Sequence, residues 1–483
     1  MSDDRQARGG GIAAAFRRHP AAWIVGAAAL AFVLLGTGAV FAGMAYGRTL
    51  AVAEPSPTPR VSTPPPRPTP SATATASRLR TCSIAGPAAD PRLMTLEAQV
   101  ARADSGEVLF DRNAATPTAT ASLLKVLVAA AAVDVLGPDY RIPTDVVDGG
   151  APGTVVLVGH GDATLSATPA GAQSVYAGAP KLSTLAAQAL TAYAAAHPGV
   201  PITTVVLDSS YWTDTAWDPD VKMSERTQGY QSYTTALQVD GDRQTPAYET
   251  SPRSTDPVAR AGAAFVQALH AADPGGVVAP SVAAGTGTAP AGASRLAQVV
   301  SQPLRTLLPQ LLLPSDNTLG EMLARIVSKK QGLDGSAASL QQAIPAALAP
   351  YGIPSTGLTI RDGSGESPRN AVPASTLTQL MRIVQAGTQG LDVVRAALPV
   401  AGRSGGLQAR FTGPNAIARG HVTAKTGWID IEYSLSGFID ASDGTRLVFT
   451  FYAMGPGISA AAKSALDTLA TAVYRCGDNL SNT

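Results

Sequence analysis

The sequence predicts an α+β domain: an antiparallel sheet with helices packed on it, carrying a large inserted subdomain after its first long helix. Three observations predict this. Hairpin signals lie near both ends of the chain, around Asp104-Ser105-Gly106 and Ser442-Asp443-Gly444. Long apolar helical patterns follow the first hairpin and close the chain. Between them runs an interval with strands of its own.

In chain order, residues 1–20 form a tail containing Arg5, Arg8, Arg17 and Arg18. Ala21 to Tyr46 carries no charge and exceeds the ~20 apolar residues that span a bilayer. With the arginines before it, residues 21–46 read as a transmembrane helix. The tail then stays in the cytoplasm and everything after Arg48 lies outside. A cleaved signal peptide is the alternative, because Ala51-Val52-Ala53 resembles an A-x-A cleavage site, although the apolar run is longer than a usual signal core. Residues 47–80 read as a linker. Its eight prolines between Glu54 and Ser77 favour an extended chain with little to bury.

The folded part is expected from residue 81. Leu96 to Ala101 and Glu107 to Phe110 pair as a hairpin, and a helix runs from Ser122 to Leu136, stopped by Gly137-Pro138. Residues 146–285 read as the inserted subdomain. Thr154 to Val158 and Ile202 to Leu207 are strands, and the stretch reads as richer in turns than in long helices. Residues 81–145 and 286–477 then form one domain. Its second hairpin is Ser434 to Ile439 with Arg446 to Ala453, and its last helix runs from Ser459 to Tyr474. Cys82 and Cys476 are the only cysteines and bracket this domain, so an oxidising compartment would allow a clasp between them.

The bulk properties exclude some functions. Of 483 residues 45% are hydrophobic and 15% charged, and the net charge of +1 gives no basic stripe for nucleic acid. His160, His197, His270 and His421 are scattered, no paired His/Cys cluster suggests a metal, and no phosphate-cradling loop suggests a nucleotide cofactor.

Three short motifs carry the chemistry. In Ser122-Leu123-Leu124-Lys125, a separation of three puts hydroxyl and amine on one helix face. Serine is a poor nucleophile until a base takes its proton. Lys125 is the only charge between Arg112 and Asp134, and desolvation among Leu, Val and Ala would favour its neutral amine. In Ser315-Asp316-Asn317, Ser315 can relay a proton and Asn317 can anchor a substrate amide. In Lys425-Thr426-Gly427, the ammonium and hydroxyl can bind a carboxylate, and the glycine allows close backbone approach. The amides of Trp428 and Ser122 can form an oxyanion hole. Taken singly, these motifs also read as a snorkelling lysine, a helix cap and a solvated edge strand. Their order in one chain points to acyl transfer through a serine ester, and is the order found in β-lactamases and penicillin-binding proteins.

Longer stretches resemble the D-alanyl-D-alanine carboxypeptidase/endopeptidase family of class C low-molecular-mass penicillin-binding proteins. They are Leu157 to Ser166, Asp362-Gly363-Ser364-Gly365 with Arg369-Asn370, Ser404-Gly405-Gly406-Leu407 with Arg410-Phe411, and Lys425-Thr426-Gly427 leading to Ser434-Leu435-Ser436-Gly437. The chain departs from the family's pattern with Trp428 where a small or hydroxyl residue is usual, Glu366 where Leu is common, and Ala163 for Pro.

The resemblance implies a penicillin-recognising transpeptidase/β-lactamase-like fold and an extracytoplasmic serine DD-peptidase without a cofactor. Such an enzyme hydrolyses the D-Ala-D-Ala terminus of peptidoglycan stem peptides, or their cross-links, and binds β-lactam antibiotics. By analogy Ser122 is the nucleophile, Lys125 the base, Ser315 the relay and Asn317 an anchor, with Lys425, Thr426, Gly427 and Trp428 binding substrate. A β-lactamase and a non-catalytic penicillin-binding wall module remain alternatives. Glu366-Ser367-Pro368-Arg369-Asn370 matches the E-x-x-x-N spacing of class A β-lactamases, but its flanking residues and the long insert favour the peptidase, with Glu366 as a local loop substitution.

Overall fold

The computed structural model describes residues 79–482, apart from 213 and 215. The expected cytoplasmic tail, the membrane helix at 21–46 and nearly all of the linker at 47–80 lie outside these residues. Among the described residues, no helix is long and apolar enough to cross a membrane.

The chain enters through β1 (Cys82–Ser83) and forms the hairpin β2 (Thr95–Arg102) and β3 (Val108–Arg112). A 3₁₀ turn, Ala121–Leu123, then runs into α1 (Leu124–Leu136). The expected helix from Ser122 therefore starts as a tighter turn. From Leu124 to Val133 every α1 residue is buried. A helix apolar all round has no solvent face and belongs inside a fold.

The chain then leaves to build a second sheet. Its elements are β4 (Pro143–Asp148), β5 (Thr154–Gly159), α2 (Leu182–Ala196), β6 (Ile202–Asp208), α3 (Pro257–Ala272), β7 (Val278–Thr286) and β8 (Arg295–Val300). The strand order is β7-β6-β5-β4-β8. β4 is antiparallel to β5 and β8, whereas β5–β6 and β6–β7 are parallel. Parallel neighbours need crossovers, and α2 and α3 provide them. Leu185, Ala189, Val205, Phe265 and Leu269 bury a separate core there. Two points differ from the sequence reading. The sheet runs from Pro143 to Val300, past 146–285 at both ends. It also carries two long helices, of 15 and 16 residues, where turns were expected. Both are alanine-rich; the faces of α2 contrast little, whereas α3 buries Val258, Ala261, Phe265 and Leu269 along one side. Asp256 caps α3 by accepting from the Ala259 amide at 2.9 Å, and Pro257 starts it.

Back in the first layer come α4 (Leu304–Leu312), α5 (Asn317–Lys330), α6 (Leu340–Leu348) and α7 (Ala374–Ala386). They are followed by β9 (Val422–Ile429), β10 (Glu432–Asp440), β11 (Arg446–Met454), α8 (Ala461–Cys476) and β12 (Leu480–Ser481). β10 pairs antiparallel with both β9 and β11, and β2 lies alongside β11. Both expected hairpins thus join one sheet, with β9 at its edge. Side chains alternate across it: Phe438, Val448 and Tyr452 belong to the core holding α1 and α7, whereas Leu435, Phe449 and Phe451 pack with α8. Cys82 and Cys476 form a disulfide with their Cα atoms 5.5 Å apart, and β1 pairs with β12. The two ends of the domain are clasped as the sequence allowed.

Candidate active site

Three elements meet at the edge of the sheet: the turn opening α1, the loop between α4 and α5, and β9. Gly427 sets how close they come. A Cβ there would lie 2.2 Å from Ser434 Oγ, 2.9 Å from Ala121 Cβ and 3.0 Å from the Thr120 carbonyl oxygen. Only glycine lets β9 reach the turn that presents Ser122. Ser434 seals the contact by donating to the Thr120 carbonyl at 3.0 Å. Within the turn, Ala121 takes φ +44°, and Ser315 takes φ +62° in its own loop. Non-glycine residues in that region store strain and cluster at functional sites.

Lys125 is fully buried, and Ser122 is 7% exposed. The amine Nζ lies 2.9 Å from Ser122 Oγ, 2.6 Å from Asn317 Oδ1 and 2.6 Å from the Ser364 carbonyl oxygen. Burial pushes the Lys125 amine below its ordinary range, and the charges of Glu366, Asp362, Glu321 and Asp316 oppose that push. Lys425, also fully buried, donates to Ser315 Oγ at 2.8 Å and to the Thr426 carbonyl at 2.8 Å. Burial, and then the neighbouring Lys125, depress it well below the lysine range. Among the described residues, no carboxylate pairs with it.

The stretch between β5 and α3 positions the second motif. Asp316 caps α5 at the Leu319 amide (2.9 Å) and accepts from Arg243 Nη2 (2.7 Å) and Tyr176 OH (2.8 Å). Burial works against its charge, but Arg243 and Arg253 outweigh that and hold its carboxyl below the usual range. The helix-cap reading of the second motif thus holds for Asp316, but sequence reading did not single out Arg243 or Tyr176, which lie far away along the chain. It also missed Glu321, whose Oε1 accepts from the amides of Gly363 (3.0 Å) and Ser364 (2.9 Å) and so holds the carbonyl that meets Lys125. Asp362 orders the same loop through the amides of Gly365 (2.7 Å) and Ser367 (2.6 Å). Burial first, and then Glu321, push its carboxyl up to about 7.

Ser122, Ser315, Asn317, Thr426, Gly427 and Trp428 line one cleft of about 490 Å³, with Glu225, Tyr230, Glu366 and Arg410 on its walls. All eight residues singled out in the three motifs and at Trp428 are therefore in one place, six on the cleft and the two lysines directly behind it. The Trp428 side chain does not crowd Gly427. It alternates to the other side of β9, is 48% exposed, and tilts against Tyr433 with ring centroids 6.3 Å apart. Ala163 is fully buried in the core that holds α1 and does not line the cleft. Among the described residues, no group of His, Cys, Asp or Glu could hold a metal ion.

A buried serine–lysine pair, a serine–asparagine loop and a lysine–threonine edge strand define a known arrangement. The family model for D-Ala-D-Ala carboxypeptidase 3 (S13) matches residues 81–253 and 242–473. The chain belongs to this S13 family. Carboxypeptidase DacB of Mycolicibacterium smegmatis is 32% identical over 399 residues, covering 82% of this chain and 84% of the relative. The D-alanyl-D-alanine carboxypeptidase of an Actinomadura species is 29% identical, covering 70% of this chain and 74% of the relative. Penicillin binding protein 4 of Haemophilus influenzae shares the fold: the TM-score is 0.63 at 18% identity, covering 78% of this chain and 94% of that one. The S13 peptidase thus has the penicillin-recognising fold that its motifs implied.

Proposed function

We propose that Ser122 is the nucleophile through which this serine-type D-Ala-D-Ala carboxypeptidase acts on peptidoglycan. The observation that carries the assignment is the buried, charge-depleted Lys125 amine 2.9 Å from Ser122 Oγ. Lys125 takes the serine proton as Oγ bonds to the carbonyl carbon between the two D-alanines. The amides of Ser122 and Trp428 receive the developing oxyanion, and donors of this kind contribute about 3–4 kcal/mol each. Ser315 passes the proton to the departing D-alanine amine, and water then releases the acyl group. Asn317 steadies the peptide. Lys425 and Thr426 hold the terminal carboxylate, which supplies the counter-charge that a buried lysine with only neutral oxygens around it lacks.

D-alanine release from a D-Ala-D-Ala stem peptide tests the assignment. Lys125→Ala should slow it by at least the 10²–10⁴-fold that general-base catalysis supplies. Release at the parental rate would sink the base assignment. We further propose that residues 143–300 form a subdomain inserted into the peptidase domain, and that residues 21–46 anchor the enzyme with its catalytic domain outside. The charge-free run and the arginines before it support the anchor. Membrane fractions lacking the full-length chain would favour the cleaved alternative.

A further inference from the structure

Glu366 has a role in neither the motifs nor the mechanism above, yet it closes the hydrogen-bonded line that begins at Ser122. Lys125 Nζ meets Asn317 Oδ1 at 2.6 Å, and Asn317 Nδ2 donates to Glu366 Oε1 at 2.8 Å. The amine can face only the carboxamide oxygen if it is to donate, and a carboxylate accepts only from the amide nitrogen. The pair therefore dictates which way the Asn317 carboxamide points. Glu366 also lines the cleft with Ser122 and Asn317.

We propose that Glu366 is a positioning residue for acylation: its carboxylate fixes the Asn317 carboxamide with Oδ1 on Lys125, and places a negative charge beside the amine that must accept the serine proton. This rests on the assignment of Ser122 as nucleophile and Lys125 as base. A leucine at 366 could neither accept from Nδ2 nor carry charge. Nδ2 would then be free to turn toward Lys125, where two donors would face each other.

The charge has a kinetic consequence. Lys125 must be neutral to act, and burial favours that form. Glu366 favours the ammonium, as do Asp362 from the same loop and Glu321 and Asp316 at α5. The basic group that faces Lys125 is Lys425 on β9, which burial and Lys125 drive toward its neutral form. Glu366 in turn faces Lys125, Asp362 and Asp430, and Glu225 faces Glu366. Burial raises the Glu366 carboxyl, and Lys125 and the Asn317 amide oppose that rise. Removing this one carboxylate therefore lowers the pH at which Lys125 loses its proton, and acylation extends into more acid solution.

The experiment measures the rate of acylation by benzylpenicillin against pH, for the full chain and for Glu366→Gln and Glu366→Leu, with the adduct mapped in each. In Glu366→Gln the side-chain oxygen still accepts from Asn317. The acid limb should move down by about 1–3 pH units, the range a neighbouring charge imposes, with a plateau above that of Glu366→Leu. Glu366→Leu should show the same limb and a plateau lowered about tenfold or more, since small misplacements at a reacting centre are costly. Acid limbs that coincide with the parent's overturn the proposal. So does an ester lifetime lengthened by about 10²–10⁴-fold in Glu366→Gln, which would make Glu366 the base that activates the hydrolytic water. A parent chain that takes no label on Ser122 removes the underlying assignment instead, and the two failures are distinguished by the map.

Discussion

Lys425 donates to Ser315 behind the cleft at 2.8 Å, joining β9 to the loop ahead of α5. A protonated amine has three donors, and one hydroxyl and one carbonyl leave the third for an anion. Peptides ending in a free D-alanine carboxylate should therefore react faster than the same peptides ending in a carboxamide. A charge-assisted bond contributes about 1.5–3 kcal/mol, or about 10–150-fold. Lys425→Ala should erase that preference. A preference that survives the substitution would place the carboxylate elsewhere.

Gly427 packs β9 directly against the turn that carries Ser122. In Gly427→Ala the new methyl meets Ser434 Oγ at 2.2 Å and Ala121 Cβ at 2.9 Å, so β9 or the nucleophile turn must shift. Acylation should fall about 10²-fold, the cost of a displacement near 1 Å. Adding Ser434→Ala removes the closest clash and should recover part of the loss. Gly427→Ala with parental acylation kinetics would show that the strand gives way without moving Ser122.

Glu432 on β10 is fully buried, with neither carboxylate oxygen partnered among the described residues. Burial, with Glu97 adding to it, pushes its carboxyl well above the usual range. The folded state then keeps a proton that the unfolded state releases above about pH 4.3. That contribution to stability is fully present below the unfolded value and is lost as pH rises toward the folded one. Glu432→Gln removes this contribution. Its Tm should exceed the parent's at pH 8 and match it near pH 4. Equal shifts at both values would contradict the buried-acid account.

Much of the site was legible because its chemistry sits in local spacing. Ser122 and Lys125 lie one helical turn apart, and Lys425 and Gly427 lie two residues apart on one face of β9. Both strand pairs of the main sheet followed from alternating residues around Asp-Ser-Gly and Asp-Gly turns. The clasp was legible because the chain has two cysteines. The crossover helix α2 was not, because its alanine-rich faces leave little apolar contrast to read; α3 was missed although Asp256-Pro257 and the spacing of Val258, Phe265 and Leu269 mark it. Nor were the pairs Asp316–Arg243 and Lys125–Asn317 legible, since 73 and 192 residues separate their partners. Glu366 was read as a loop substitution because nothing local to it shows that Asn317 lies within hydrogen-bonding distance.

The most direct test of the serine acyl-enzyme is intact-mass analysis of the full chain after benzylpenicillin, followed by peptide mapping. The account predicts one adduct of the antibiotic's mass, on the peptide holding Ser122, and none in Ser122→Ala. An adduct on Ser315, or a folded parent that takes none, would contradict it.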